Sequence, residues 1–473
     1  VLALIGLTVL AGVLRYATLN TQSIWLDESA TIILVRHGLW GTLSHLSASE
    51  SAPPLYYVLA WAWTEVFGDG PLGFRSLSAL IGTATVPVMY LAGRRVSPRV
   101  GLWAAALTVV SPVMYYYSQE ARAYGLLVLL SAASFVLWQR ALEQPSRRNL
   151  ALWSGMSCLA LLTHYFAAFL IVPEIVMLSR RIGWKRLGAP VAAIALIACA
   201  LLPLAIAERT DNRTTWIEAE SLPGRVAESV KNFVVGPYAP LEIPAALLLL
   251  LLAGAALLVL WRRADRAEQQ IARNSAVVAV SAFALPLFLA VAHLIDVFDG
   301  RNVIATWVPL AVVVAAGLGA QRAGRAGPLI GVGVCAISLA VIVALNALPA
   351  YQRDDWRGVA DTLPKSAHGR VIVAGEYSSL PLYVYLGPLQ STHGASVRTT
   401  ELDFATLRVK RSARSPLAPV APTEAPAGFR LVQVRRTSSF AVSRFVAPTP
   451  TTVSTRVLRR LLGEAQAEVI LER

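Results

Sequence analysis

Two adjacent carboxylates, Asp27 and Glu28, follow Trp25 and Leu26 directly after the first long apolar run. Where an apolar segment meets water, a carboxylate is costly unless it is used or paired. Held there, it can take the proton of an acceptor hydroxyl as a general base. The bland alternative is a solvated loop. Glu50 precedes Pro53-Pro54. It reads either as a helix-start residue, a place that Ser49 or Ser51 fills equally well, or as a metal ligand. Between two later apolar runs stands Gln119-Glu120-Ala121-Arg122. Glu120 and Arg122 there pair with each other, orient Asp27, or hold an anionic substrate. His164 sits at another break between apolar runs and reads as structural or functional at even odds. Arg301-Asn302, after Asp299-Gly300, opens a late apolar run. Arginine at such a place suits a lipid phosphate, gripped bidentately at a helix N-terminus; otherwise it pairs with Asp299 or Asp296. The carboxylates that would serve Mg²⁺ or Mn²⁺ are Asp27, Glu50 and Glu120. Walker A, CxxC, HExxH and GxSxG motifs do not occur. His37 and His45 do not match a zinc spacing and read as loop residues.

The elements that must position these residues follow from composition. Of 473 residues 56% are hydrophobic and only 15% charged, with a mean hydropathy of +0.57. Apolar runs of about 20 residues recur, the length that crosses a bilayer as helix. The expected fold is an all-α polytopic membrane protein, because backbone in lipid must satisfy its own hydrogen bonds. Spans are expected near 1–19, 76–94, 99–117, 121–141, 149–163, 167–180, 187–207, 241–261, 274–295, 301–321 and 326–348, about eleven in all. The sequence starts at Val1 without methionine, so further residues are expected before it. Residues 1–19 read as a full membrane helix rather than a signal peptide. Cys158, Cys199 and Cys335 all lie in apolar runs and read as packing residues without a disulfide.

The net charge of +14 does not imply nucleic acid. Its arginines lie in alternate short turns: Arg94, Arg95 and Arg99; Arg140, Arg147 and Arg148; Arg180, Arg181, Lys185 and Arg186; Arg262, Arg263, Arg266 and Arg273; Arg322 and Arg325. That is the positive-inside pattern, so these turns are cytoplasmic. Asp27, Glu28, Gln119 to Arg122, His164, residues 208–240, Arg301 and the C-terminal tail then lie on the extracytoplasmic side. Pro53 to Gly68 is short and aromatic, and counting it as a crossing would invert every later turn. It reads as an interfacial helix in the first outer loop, with residues 38–48 as a second. Two domains are expected: a membrane domain over 1–348 and a small extracytoplasmic α/β domain over 349–473. Within the latter, Arg370 to Ala374 reads as a buried strand and Phe429 to Val446 as two strand-like runs. Thr455 to Ala467 reads as an amphipathic helix, and residues 413–427 as a Pro-rich linker.

In order, the motifs are WLDES, APPLYYVLAWAW, FRSLSALIGTATVPVMYLAGRRV, SPVMYYYSQEARAYGLL, THYFAAFLIV and GRNVIATWVPLAVV. Their order and sidedness over residues 1–350 resemble the bacterial GT-C glycosyltransferases. More narrowly, they resemble the branch that contains protein O-mannosyltransferases and the lipid A aminoarabinose transferase. The resemblance implies transfer of a sugar from a polyprenyl-phosphate carrier, without a nucleotide sugar, to an acceptor outside the cytoplasmic membrane. It makes Asp27 the catalytic base, with Glu28 its catalytic neighbour. Tyr56, Tyr57, Gln119, Glu120, Arg122, Tyr124 and His164 become substrate-binding residues, and Arg301 with Asn302 meets the carrier phosphate. Glu50 takes the acidic place before the prolines, where Ala52 replaces a common His; Asn302 replaces a common Tyr. The partners implied are the lipid bilayer, the polyprenyl-phosphate sugar donor, and a glycan, lipid or protein acceptor. The competing reading is a transporter or flippase of a lipid-linked sugar. That would place ionisable residues near the bilayer midplane, where Glu174 is the clearest case.

Overall fold

A computed structural model of the chain describes residues 1–210, 217, 219–363, 369–408 and 419–472. The chain divides into two compact units: residues 1–19 with 34–344, and residues 20–33 with 345–473. This division differs from the expected boundary at 348/349 in two respects: the break falls between Ala344 and Leu345, and residues 20–33 group with the C-terminal unit.

The first unit is helical. Among the described residues six helices are long and apolar enough to cross a membrane: Pro71–Gly93, Tyr124–Glu143, Trp184–Glu208, Glu242–Arg263, Arg266–Val291 and Ala326–Ala347. The other expected spans are shorter helices: Leu2–Tyr16, Pro98–Val110, Arg147–Thr163, Ala168–Ile182 and Trp307–Gly319. Serine caps set several starts. Ser97 accepts from the amide of Val100 at 3.2 Å, Ser146 from Asn149 at 3.2 Å, and Ser111 from Met114 at 3.4 Å. The last of these divides the expected span 99–117. Pro112 has no N–H to continue the helix Pro98–Val110, so a new short helix, Pro112–Tyr117, begins on the Ser111 cap. It ends where the Gln119-Glu120-Ala121-Arg122 turn begins.

The expected interfacial segments are helices Gly38–Ser49 and Leu55–Phe67, and a further helix, Leu26–Val35, precedes them. Residues 208–240, expected only as an outer loop, contain the helix Leu222–Val235. Arg225 ties it to the loop before Arg301, donating to both carboxylate oxygens of Asp296 at 2.7 and 2.6 Å. Residues 211–216 and 218 of that stretch lie outside the described residues. At the centre of the bundle Trp138, Trp153 and Phe135 are buried, with Glu174 among them. Glu174 accepts from the Trp153 indole at 2.8 Å and Ser134 at 3.2 Å.

The second unit holds a six-stranded sheet: β1 Arg370–Ala374, β2 Leu389–Ser391, β3 Ser396–Leu407, β4 Arg430–Arg436, β5 Phe440–Ser454 and β6 Glu468–Glu472. Its order is β2-β6-β1-β3-β5-β4, with β1 parallel to β3 and every other neighbour antiparallel. The fully buried run Arg370–Ala374 is the strand its composition predicts. The amphipathic helix is shorter than expected, Thr455–Leu462, because Gly463 turns left-handed at φ 83°. Residues 409–418 of the Pro-rich stretch lie outside the described residues.

Registry places a charge cluster inside this sheet. Arg370 on β1 pairs with Glu472 on β6 and stands 3.6 Å from Asp403 on β3. At that distance the Asp403 carboxylate gains attraction but no hydrogen bond. Burial wins over Arg370, and the Asp403 carboxyl is pushed up to about 6. A carboxyl raised on folding favours the folded state below its unfolded value, about 3.9. That contribution is lost as pH rises through about 6. Asp403→Asn should therefore stabilise the sheet relative to wild type more at pH 7.5 than at pH 5. Amide exchange of β1 and β3 in the intact protein measures this; a pH-independent difference would contradict it.

Candidate active site

In the first unit the organising contact is an ion pair between Arg122 Nη1 and Glu50 Oε2. Glu50 is 2% exposed. It ends the helix Gly38–Ser49 in extended backbone, so it is not the helix-start residue that the sequence allowed. Arg122 stands in a tight turn in which its own amide donates to the Glu120 carbonyl at 2.8 Å. The pair thus joins two segments far apart in sequence.

Aromatic and polar groups close around the pair. Tyr57 is fully buried beside Glu50 and Arg122, and burial first, then the Glu50 charge, push its phenol well above its ordinary value. It remains a neutral donor at any working pH. Tyr124 opens the next helix, its ring 5.5 Å from His164 and 5.0 Å from Tyr117. His164 caps the short turn Tyr165–Ala167, its Nδ1 accepting from the Phe166 amide at 3.4 Å. Burial, then the Arg122 charge, depress its ring to about 3. The imidazole is neutral near pH 7 and does not supply a proton there.

Tyr117 lies within electrostatic reach of Glu120, Arg301 and Tyr124. The first unit therefore gathers Glu50, Tyr57, Glu120, Arg122, Tyr124, His164 and Arg301, linked through Tyr117. The sequence reading missed Tyr117, since nothing in the run Tyr115-Tyr116-Tyr117 marks which ring turns toward the charges. Arg301 is half-buried and its Nε donates to Asp299 Oδ1 at 3.2 Å. The same oxygen accepts the Arg301 amide at 3.0 Å, which fixes the turn. Three other predicted residues act on the frame. Asn302 is buried and donates to the Val297 carbonyl at 2.8 Å. Tyr56 is buried with its hydroxyl 3.5 Å from Ser78. Gln119 donates to the Arg15 carbonyl at 2.9 Å and to Thr18.

In the second unit Asp27 and Glu28 occupy the first turn of the helix Leu26–Val35, where the helix dipole favours negative charge. Their environments differ. Asp27 is half-buried. Glu28 is 0% exposed and accepts from Arg353 Nη1 at 2.8 Å. Arg353 in turn lies 5.6 Å over the Trp25 ring, and its amide donates to Gln22 Oε1 at 3.1 Å. Asp355 accepts from Ser23 at 3.0 Å, and the Ile24 amide donates to Tyr385 at 2.7 Å. Glu28, expected as a catalytic neighbour, is thus buried and paired, an anchor for the segment that presents Asp27. Arg353 is 325 residues away, and no local signal marks it.

Among the described residues no group of three or more His, Cys, Asp and Glu side chains is placed to hold a metal ion. Of the carboxylates expected to serve Mg²⁺ or Mn²⁺, Glu50 already faces Arg122.

Residues 51–207 match the family model described as dolichyl-phosphate-mannose-protein mannosyltransferase. Among solved structures the chain is similar to ArnT from Cupriavidus metallidurans in the apo state, at a TM-score of 0.57 and 13% identity over 93% of this chain and 97% of that one. It is similar also to the same protein bound to undecaprenyl phosphate, at 0.54 and 12% identity over 93% and 97% of the two chains. Curated protein sequences yield no match. The chain therefore shares the fold of these ArnT structures, and its residues 51–207 match the mannosyltransferase family model.

Because Glu28 and Arg353 are buried together, removing one charge strands the other. Glu28→Gln should lower the stability of the second unit by about 3–5 kcal/mol. Pairing Glu28→Leu with Arg353→Met should recover most of the loss. Thermal melting checks this; a single-variant cost below about 1 kcal/mol, as for a surface pair, would refute it.

Proposed function

We propose that the chain transfers a sugar from a polyprenyl-phosphate carrier to an acceptor hydroxyl on the outer side of the cytoplasmic membrane, with inversion at the anomeric carbon. The observation that carries this reading is that Arg301 lies within electrostatic reach of Tyr117, whose ring contacts run through Tyr124 and His164 toward the Arg122–Glu50 pair, in a membrane unit of this fold. The structural relative that binds undecaprenyl phosphate supports the same class of donor. Arginine grips a phosphate bidentately, and an apolar carrier chain belongs in a membrane bundle.

The sugar–phosphate bond is already activated, because the phosphate leaves as a stable anion. Asp27 takes the acceptor proton while the acceptor oxygen attacks the anomeric carbon opposite the phosphate. The carbon–oxygen bond to the phosphate breaks, and its electron pair leaves with the polyprenyl phosphate. Arg301 and the pre-oriented Arg122 hold the developing charge. Tyr57 and the neutral His164 donate or accept hydrogen bonds to the sugar without changing charge. The domain over 349–473 selects the acceptor.

The test is transfer by purified protein from a panel of radiolabelled polyprenyl-phosphate sugars, with membrane extract as acceptor and a chelator arm. Wild type should move one sugar, and Asp27→Asn should cost on the order of 10²- to 10⁴-fold, the range of a lost general base. Transfer that survives the chelator fits the pairing of Glu50 with Arg122. An Asp27→Asn rate equal to wild type would remove Asp27 as the base. No transfer, with movement of carrier across proteoliposomes, would favour the flippase.

A further inference from the structure

Among the described residues Arg15 makes no ion pair, although it stands inside the bundle. Arg15 is fully buried near the end of the helix Leu2–Tyr16. Its Nε donates to Ser118 Oγ at 3.0 Å, Nη2 to the Thr108 carbonyl at 3.1 Å and Nη1 to the Ala11 carbonyl at 3.3 Å. Every one of these acceptors is neutral. An arginine within a membrane helix is expensive and calls for a use. The helix could be closed by any apolar residue at this position.

One side-chain donor and the carbonyl of Arg15 meet the same short segment. Ser118, which accepts from Arg15 Nε, donates to the Met114 carbonyl at 2.5 Å. The carbonyl of Arg15 accepts from the Gln119 amide, which also reaches Thr18. Thr18 meets the Tyr115 hydroxyl at 2.6 Å. The segment Tyr115–Gln119 is therefore tethered along its length to the last turn of the first helix, and Glu120 and Arg122 follow at once. Gly82 from a third helix closes the arrangement. A Cβ there would fall 2.0 Å from Ser118 Oγ and 3.0 Å from Arg15 Nε. A small cavity of about 10 Å³, lined by Arg15, Gly82, Thr108, Tyr117 and Ser118, has room for a single water.

We propose that Arg15 is a positioning residue: its Nη donors brace it on the Thr108 and Ala11 carbonyls, and its Nε holds Ser118, so that the turn carrying Glu120 and Arg122 is kept in place for the sugar–phosphate donor. The role in transfer rests on the proposed glycosyl transfer; the tether itself does not. Lysine offers a point charge in place of a fork, and glutamine a single short donor. Both should fall short of arginine, with lysine the better of the two because it reaches as far.

Arg15→Met, Arg15→Lys and Gly82→Ala test this in the full-length protein. Arg15→Met should lower kcat by about 10- to 100-fold, the cost of misplacing catalytic groups, with KM for the acceptor unchanged and partial rescue in Arg15→Lys. Combining Arg15→Met with Gln119→Leu should add little, because both release the same segment. Independently of activity, amide exchange over 115–124 should rise about ten-fold in Arg15→Met, with exchange over 149–163 unchanged. Unchanged exchange over 115–124 would overturn the proposal, as would an equal rise throughout the bundle. Should Arg15→Met fail to fold, Gly82→Ala, which displaces Ser118 without removing the charge, must give the same local rise. Local loosening in a protein that moves no sugar from any carrier would retain the tether and reject the glycosyl transfer.

Discussion

The buried pairing of Glu50 with Arg122 is the constraint on which the first unit depends. Either charge alone, at that burial, would face a desolvation cost of several kcal/mol that only a close partner offsets. The pair consequently dictates where two segments lie: the extended residue after the helix Gly38–Ser49, and the tight turn before the helix Tyr124–Glu143. Tyr57, Tyr124 and His164 pack around it and lower the local dielectric. That same burial keeps His164 neutral, with its ring depressed to about 3. A site built in this way holds its cations still and its hydrogen-bonding groups uncharged, which suits the binding of a phosphate more than the relay of protons.

The second unit uses the same device, a buried ion pair. Glu28 and Arg353 lock the start of the helix Leu26–Val35 to the segment after Leu348. Asp27, one residue earlier, is left half-buried at the helix N-terminus. Neighbouring carboxylates thus divide their work by environment: one is spent on structure, and the other is left accessible. The domain after residue 349 is then more than an appendage, because it supplies the countercharge that orders the WLDES segment.

Much of this was legible in sequence, for physical reasons. Apolar runs of bilayer length are helices because lipid leaves the backbone no other partner. The strand Arg370–Ala374 was plain because it is buried on both faces and so reads as a continuous apolar run. The strand Ser396–Leu407 was not. It alternates polar and apolar residues and changes register between Thr399 and Glu401, so its period is broken. The split of the expected span 99–117 was written in Ser111-Pro112, a cap followed by a residue without a donor, within an otherwise apolar run. Of the candidate residues, Asp27 in the second unit and Glu50, Glu120, Arg122, His164 and Arg301 in the first were visible as polar residues where apolar runs break. Their partners were not. Arg353 lies 325 residues from Glu28 and Arg15 103 residues from Ser118, and only the folded chain joins them.

Whether Glu50 acts by holding Arg122 is the question on which the account turns. The most direct measurement is a double-mutant cycle in sugar transfer from the polyprenyl-phosphate carrier, comparing Glu50→Gln, Arg122→Met and the two combined. The account predicts that each single change costs about 100-fold and that the double variant is no slower than Arg122→Met. Losses that multiply in the double variant, or a Glu50→Gln protein with the wild-type rate, would contradict it.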